Sequence, residues 1–132
     1  MSPARDMPAW TRSPEELQDA FRTALEAFPG AERRQMFGYP AAFANGHMWT
    51  GLHQTNWVVR LPDAARADLL TINGAKPFEP MPGRPMTGFA TLPATVLDDP
   101  AMLNAWLTQA WNHARALPPK EPKTARAPAP RR

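Results

Sequence analysis

The pair Asn45-Gly46, set between two apolar and aromatic runs, limits what this chain can fold into more than any other feature. Asn-Gly favours φ > 0 at both central positions of a two-residue turn, which is what a tight type I′ hairpin requires. A second polar turn follows at Gln54-Thr55-Asn56, so Met36 to Leu61 reads as a β-meander. Strands joined by turns this short must pair antiparallel, because a parallel pair needs a long crossover.

Three extended segments are expected here. Arg33 to Phe43 is the first, bent at Gly38-Tyr39-Pro40, where a proline that cannot donate to a ladder implies an edge or a bulge. His47 to His53 is the second and Trp57 to Leu61 the third. Regular alternation puts His47, Trp49, Gly51 and His53 on one face of the second strand and Met48, Thr50 and Leu52 on the other. Met48 and Leu52 are expected to face the core. In the third, Trp57, Val59 and Leu61 oppose Val58 and Arg60.

Helical patterns flank the meander. Ser13-Pro14-Glu15-Glu16 reads as a helix start, with serine as N-cap, proline in the first turn and Glu16 completing a capping box. Leu17, Ala20, Phe21, Ala24, Leu25 and Phe28 then form one apolar stripe, which Pro29-Gly30 ends. A shorter helix is expected from Pro62-Asp63 to about Leu70. Residues 77–86 hold four prolines and predict an extended connection with a short strand near Phe78, and Thr87 to Leu92 reads as a final strand. Pro93 to Leu97 allows a single turn. Asp98-Asp99-Pro100 opens the last helix, whose Leu103, Trp106, Leu107, Ala110, Trp111, Ala114 and Leu117 keep helical spacing until Pro118-Pro119. The sum is a two-layer α+β domain: an antiparallel sheet of four or five strands and three helices.

The chain divides into a loose lead-in (1–12), the domain (13–117) and a disordered, proline-rich basic tail (118–132). The 132 residues suffice for one core. The net charge of +3 belongs to the tail, where Lys120, Lys123, Arg126, Arg131 and Arg132 stand against Glu121. Residues 1–117 hold ten basic and eleven acidic groups, so the domain shows no basic face of the kind nucleic-acid binders carry. With no cysteine, disulfides and thiolate chemistry are excluded. The N-terminus lacks the apolar core of a secretory signal, and no apolar run is long enough to span a bilayer, so a cytoplasmic protein without membrane contact is expected.

Chemistry-bearing constellations are sparse. His47 and His53 lie six residues apart, about 20 Å along a strand, too far to share one metal ion. Ser2 and Ser13 are the only serines, and no nucleophile elbow is present. Glu15-Glu16 and Asp98-Asp99 sit at helix starts, where capping and dipole compensation account for them. The glycines are scattered singly and form no phosphate-cradling loop, so no cofactor is implied. Arg84, held between prolines, and Arg60 of the third strand are candidate anion contacts. Trp49 and Trp57 lie on adjacent strands. They either finish the core or, facing away from the helices, form an exposed aromatic patch with Met36, Phe37 or Tyr39.

Met36-Phe37-Gly38, Asn45-Gly46-His47-Met48-Trp49, Arg60-Leu61, Leu92-Pro93, Leu97-Asp98-Asp99-Pro100 and Leu103-Asn104-Ala105-Trp106 together resemble the signature of the TfoX N-terminal domain family over roughly residues 14–117. The resemblance implies an α-β3-α-β2-α arrangement similar to secretion-chaperone-like folds, and thereby a fifth strand. It supplies no catalytic residues. The family's founders regulate natural competence and carry a second, C-terminal domain, whereas Leu117 here is followed by the basic tail alone. The expectation is a non-enzymatic regulatory or binding module acting through protein contacts, often as a homodimer in folds of this kind. Two alternatives remain: nucleic-acid association through the five basic tail residues, and a small-anion pocket or enzyme near Trp49, Trp57, Arg60 and Arg84.

Overall fold

Asn45 and Gly46 turn the chain as their identities require, with φ of +53° and +83°. The computed structural model describes residues 12–36, 38–81 and 83–119. In chain order its elements are α1 (Glu15–Leu25), β1 (Glu32–Met36), β2 (Tyr39–Ala44), β3 (His47–His53), β4 (Asn56–Arg60), α2 (Asp63–Leu70), β5 (Lys76–Pro77), β6 (Phe89–Thr91), α3 (Ala94–Leu97) and α4 (Pro100–Ala116). The strands form one antiparallel sheet in the order β1-β2-β3-β4-β6-β5. The two-layer α+β expectation holds, with six strands in place of four or five.

The extra strand comes from the first extended segment. Arg33 to Phe43 is a hairpin rather than one bent strand: Met36 pairs with Tyr39, and Gly38 at φ +85° reverses the chain between them. A left-handed residue is cheap only for glycine, which makes the reversal tighter than a bend. The strand near Phe78 is β5, just before it. The short turn expected at Pro93–Leu97 is α3, a fourth helix of a single turn.

One face of the sheet is packed against the helices. Phe21, Leu25 and Phe28 from the first helical region, Leu69 from α2, Val96 from α3 and Leu103, Leu107, Ala110 and Ala114 from α4 enclose Ala42, Trp49, Leu52, Trp57, Val59, Leu61 and Ala90. Asp99 caps α4, accepting from Ala101 N (3.1 Å) and Met102 N (3.2 Å) with Pro100 in the first turn. The start of α1 departs from expectation. Its N-cap is Pro14 and no capping box forms. Ser13, buried, instead donates its hydroxyl to Gln54 O at 2.7 Å in the β3–β4 turn. The same hydroxyl cannot serve both partners, and here it fastens the helix to the sheet.

Among the described residues, no helix covers the opposite face. A smaller apolar cluster covers part of it: Val58, Phe78 and Phe89, with Met48 and Met86 packed against them. Residues 78–81 and 83–86 lie beside this cluster, held by Met86 N to Phe78 O (2.8 Å) and Arg84 N to Met81 O (2.9 Å).

Candidate functional site

Strand β3 decides where the predicted site residues go. Ala42 pairs with Thr50 but Phe43 pairs with Met48, so Trp49 has no partner across the ladder. A bulge of this kind inserts one residue and interrupts the two-residue alternation. Trp49, Thr50 and Leu52 consequently all turn toward the helices, while Met48 joins the cluster on the other face. The expectation that Met48 and Leu52 share the core is correct for Leu52 alone.

Both tryptophans finish the core, at 0% and 1% exposure, so the exposed aromatic patch is overturned. They do not pair with each other. Trp57 lies opposite Leu52, packs on Phe21 at 5.2 Å between ring centroids and donates Nε1–H to Thr50 Oγ1 at 2.9 Å. Trp49 packs against Phe28 and Trp111, each at 5.2 Å. Its Nε1–H is buried without an acceptor, a cost on the order of 1–3 kcal/mol that the surrounding rings must offset. Neither indole is therefore presented at the surface.

The remaining predicted residues are dispersed. Arg60 lies opposite Phe89 at the end of β4, and its positive charge is felt by His113 of α4. Arg84 is exposed in the 81–84 turn, where it bridges Met81. Neither arginine lines the pocket that Tyr39 lines. Lys120, Lys123, Arg126, Arg131 and Arg132 lie outside the described residues, as does Phe37.

Tyr39 is buried on the helix-free face, where its ring sits 5.2 Å from that of His53, which in turn lies 5.3 Å from Phe78. These three rings, with Met36, Met48 and Met86, surround a small pocket between the sheet and the 78–86 loop. Burial holds the His53 imidazole below its ordinary value. His113 is likewise lowered, by burial first and then by the charges of Arg60 and Arg66. His47 Nε2–H donates to Pro118 O at 2.7 Å. Among the described residues no three histidine, cysteine or carboxylate side chains gather as metal ligands.

A second surface was not signalled by any motif. Strand β1 is one edge of the sheet, and among the described residues nothing pairs with its outer side. Its burial pattern is exposed almost throughout. Arg34 bonds Glu32 at 2.8 Å and lays its guanidinium over Phe43, 4.7 Å from the ring centroid. Arg33, on the other face, makes no ion pair among the described residues. It borders a cleft of about 270 Å³ between β1 and α1, together with Gln18, Phe21, Arg22 and Gln35. Arg22 is ion-paired with Asp19. The edge therefore offers open backbone groups beside a net positive rim. The sequence signal was the Arg33-Arg34 pair, but the single-strand reading of residues 33–43 hid that it forms an edge of its own.

No helix among the described residues is long and apolar enough to cross a membrane. No curated protein and no solved structure matches the chain. The model of the TfoX N-terminal domain does match, over residues 23–114, from within α1 to near the end of α4. That span takes in the bulged β3, the three successive hairpins of β1 to β4 and the capped last helix, and the chain belongs to the TfoX N-terminal domain family.

Proposed function

We propose that this chain is a non-enzymatic binding module of regulatory type, acting through protein contacts at the β1 edge. The observation that carries the reading is the outer side of β1, unpaired among the described residues, beside Arg33, Arg34 and Arg22. A strand edge with open N–H and C=O groups captures an extended segment by adding a strand, and nearby side chains set which segment fits. Two arginines against one glutamate on β1 favour an acidic extended segment. A second copy of the chain fits less well. In the register that pairs all five residues of β1 with their counterparts, Arg34 faces its own counterpart, and like charges directly opposite are destabilising.

Selection from a display library of extended peptides tests this. The expected binders alternate Asp or Glu with apolar residues. Replacing both Arg33 and Arg34 with Glu weakens them at least tenfold, whereas Arg84→Glu leaves binding unchanged. Binders without acidic residues, or binding indifferent to the double substitution, would sink the assignment. Light scattering after size exclusion gives the alternative occupant: a dimer abolished by the double substitution assigns the edge to a second copy.

A further inference from the structure

A segment added to β1 can run on past either end of the strand, and the chain places its densest positive charge beside one of those ends. The ladder fixes which one. Glu32 lies opposite Phe43 and Phe43 opposite Met48, so the Glu32 end of β1 is level with the start of β3. The last described residues are held at that level too: His47 Nε2–H donates to Pro118 O at 2.7 Å, and Asn45 Nδ2–H to Leu117 O at 3.2 Å. Only β2 separates β1 from β3, which puts the two strands about 10 Å apart. Residues 120–132 follow from there and can reach at most about 45 Å, several times that separation.

The charge on this side has one dominant sign. Residues 120–132 carry Lys120, Lys123, Arg126, Arg131 and Arg132 against Glu121. Arg115, in the last turn of α4, lies over Trp111 at 5.4 Å from the ring centroid and makes no ion pair among the described residues. With Asn45 and Asn112 it lines an open cleft of about 530 Å³ between the hairpin turn and the helix end. Against these cations stand Glu32, tied to Arg34 at 2.8 Å, and Glu26 at the C-cap of α1. The tail is itself a poor strand for the β1 edge. Pro122, Pro128 and Pro130 have no N–H to donate, and its charge repels that of Arg33 and Arg34. It suits the role of a second contact for whatever the edge holds.

We infer that the acidic segment captured by β1 continues as a further acidic stretch past the Glu32 end of the strand, and that the basic residues of 120–132 bind this stretch. Edge and tail are then two halves of one site for an acidic polypeptide. The inference rests on the β1 reading above and adds which end of the partner carries the extra charge. Because the tail is tethered beside the edge, its contacts form as an intramolecular step once the strand is in place.

The probes are an alternating Glu/Val peptide long enough to cover β1, and the same peptide with four aspartates added at its N-terminus or at its C-terminus. Calorimetric titration of the full chain is expected to show that one extended peptide, and not the other, binds about tenfold tighter than the core peptide at low salt, the sum of a few exposed ion pairs. The gain disappears near 1 M salt, where the screening length falls to about 3 Å. Replacing Lys120, Lys123, Arg126, Arg131 and Arg132 with Gln in the full chain removes the gain and leaves the affinity for the core peptide unchanged. No gain, an equal gain at both ends, or a gain that survives the neutralised tail overturns the inference and leaves the β1 reading standing. A core peptide that does not bind overturns the β1 reading, and this inference with it. Binding of a single-stranded oligonucleotide through the tail, with no gain from either acidic extension, assigns the tail to nucleic acid instead.

Discussion

Thr50 is the residue on which the centre of the sheet depends. Its hydroxyl donates to Val58 O at 2.8 Å and accepts from Trp57 Nε1 at 2.9 Å, all of it buried. Thr50→Val preserves the shape and removes the acceptor, leaving the indole N–H orphaned. The expected loss is about 1–3 kcal/mol of unfolding free energy in urea titration, and Thr50→Ser, which keeps both bonds, should lose less. Equal losses would show that the methyl rather than the hydroxyl matters. The same part of β3 shows where reading by alternation fails. The rule that separates Trp49 from Thr50 assumes one residue per ladder position, and the Trp49 bulge breaks it. No local residue type marks that bulge: it is fixed by where two large indoles fit beneath α1 and α4, a tertiary fact. Gly51 is a partial clue, since a Cβ there would lie 2.6 Å from the Met48 methyl. That contact places both residues on the helix-free face.

Among the elements, the β2–β3 hairpin and α4 are coupled through one turn residue. Asn45 satisfies its left-handed backbone and also donates Nδ2–H bonds to Arg115 O (3.1 Å) and Leu117 O (3.2 Å), carbonyls at the helix's unsatisfied end. Asn45→Gly keeps the turn and loses the two bonds, whereas Asn45→Ala loses both. The expected order of thermal stability is wild type, then Gly, then Ala, with about 1 kcal/mol between the two variants from the φ > 0 requirement. Ala equal to Gly would show that the backbone preference contributes nothing. Turn, cap and stripe signals with a local cause were legible at this scale: the Asn45-Gly46 turn, the Asp99 cap and the apolar stripe of α4 all hold. The β1–β2 hairpin was missed because Gly38 lies beside Pro40, and a proline in a strand reads as a bend when its partner strand is unknown. The β1 edge surface was lost with it. Ser13 was misread for a related reason: a good N-cap residue was drawn instead to Gln54 O, an acceptor 41 positions away.

For the molecule as a whole, two histidines couple stability to pH. His53 and His113 are both held below the ordinary value of 6.5 when folded. Above that value they are neutral in the folded and unfolded chain alike and impose no penalty. As the pH falls below it, the unfolded chain binds protons that the folded chain refuses, so stability declines toward the lowered folded values. The melting temperature should fall as the pH is lowered through about 6.5, above most carboxylate titrations, and the double variant His53→Gln, His113→Gln should flatten that fall. An unchanged slope in that variant would assign the dependence to other groups.

The described chain is fastened near both ends to the same strand. Ser13 holds to Gln54 just past the end of β3, and Pro118 accepts from His47 at its beginning. The seven residues of β3 span about 20 Å, so the anchor points of Ser13 and Pro118 lie about that far apart. Anything joined to the two ends is thus held at a fixed spacing by a rigid strut, and tension between them runs lengthwise along the middle of the sheet. A peptide bridging the ends would need about six extended residues, which sets the shortest linker for a circularly permuted form.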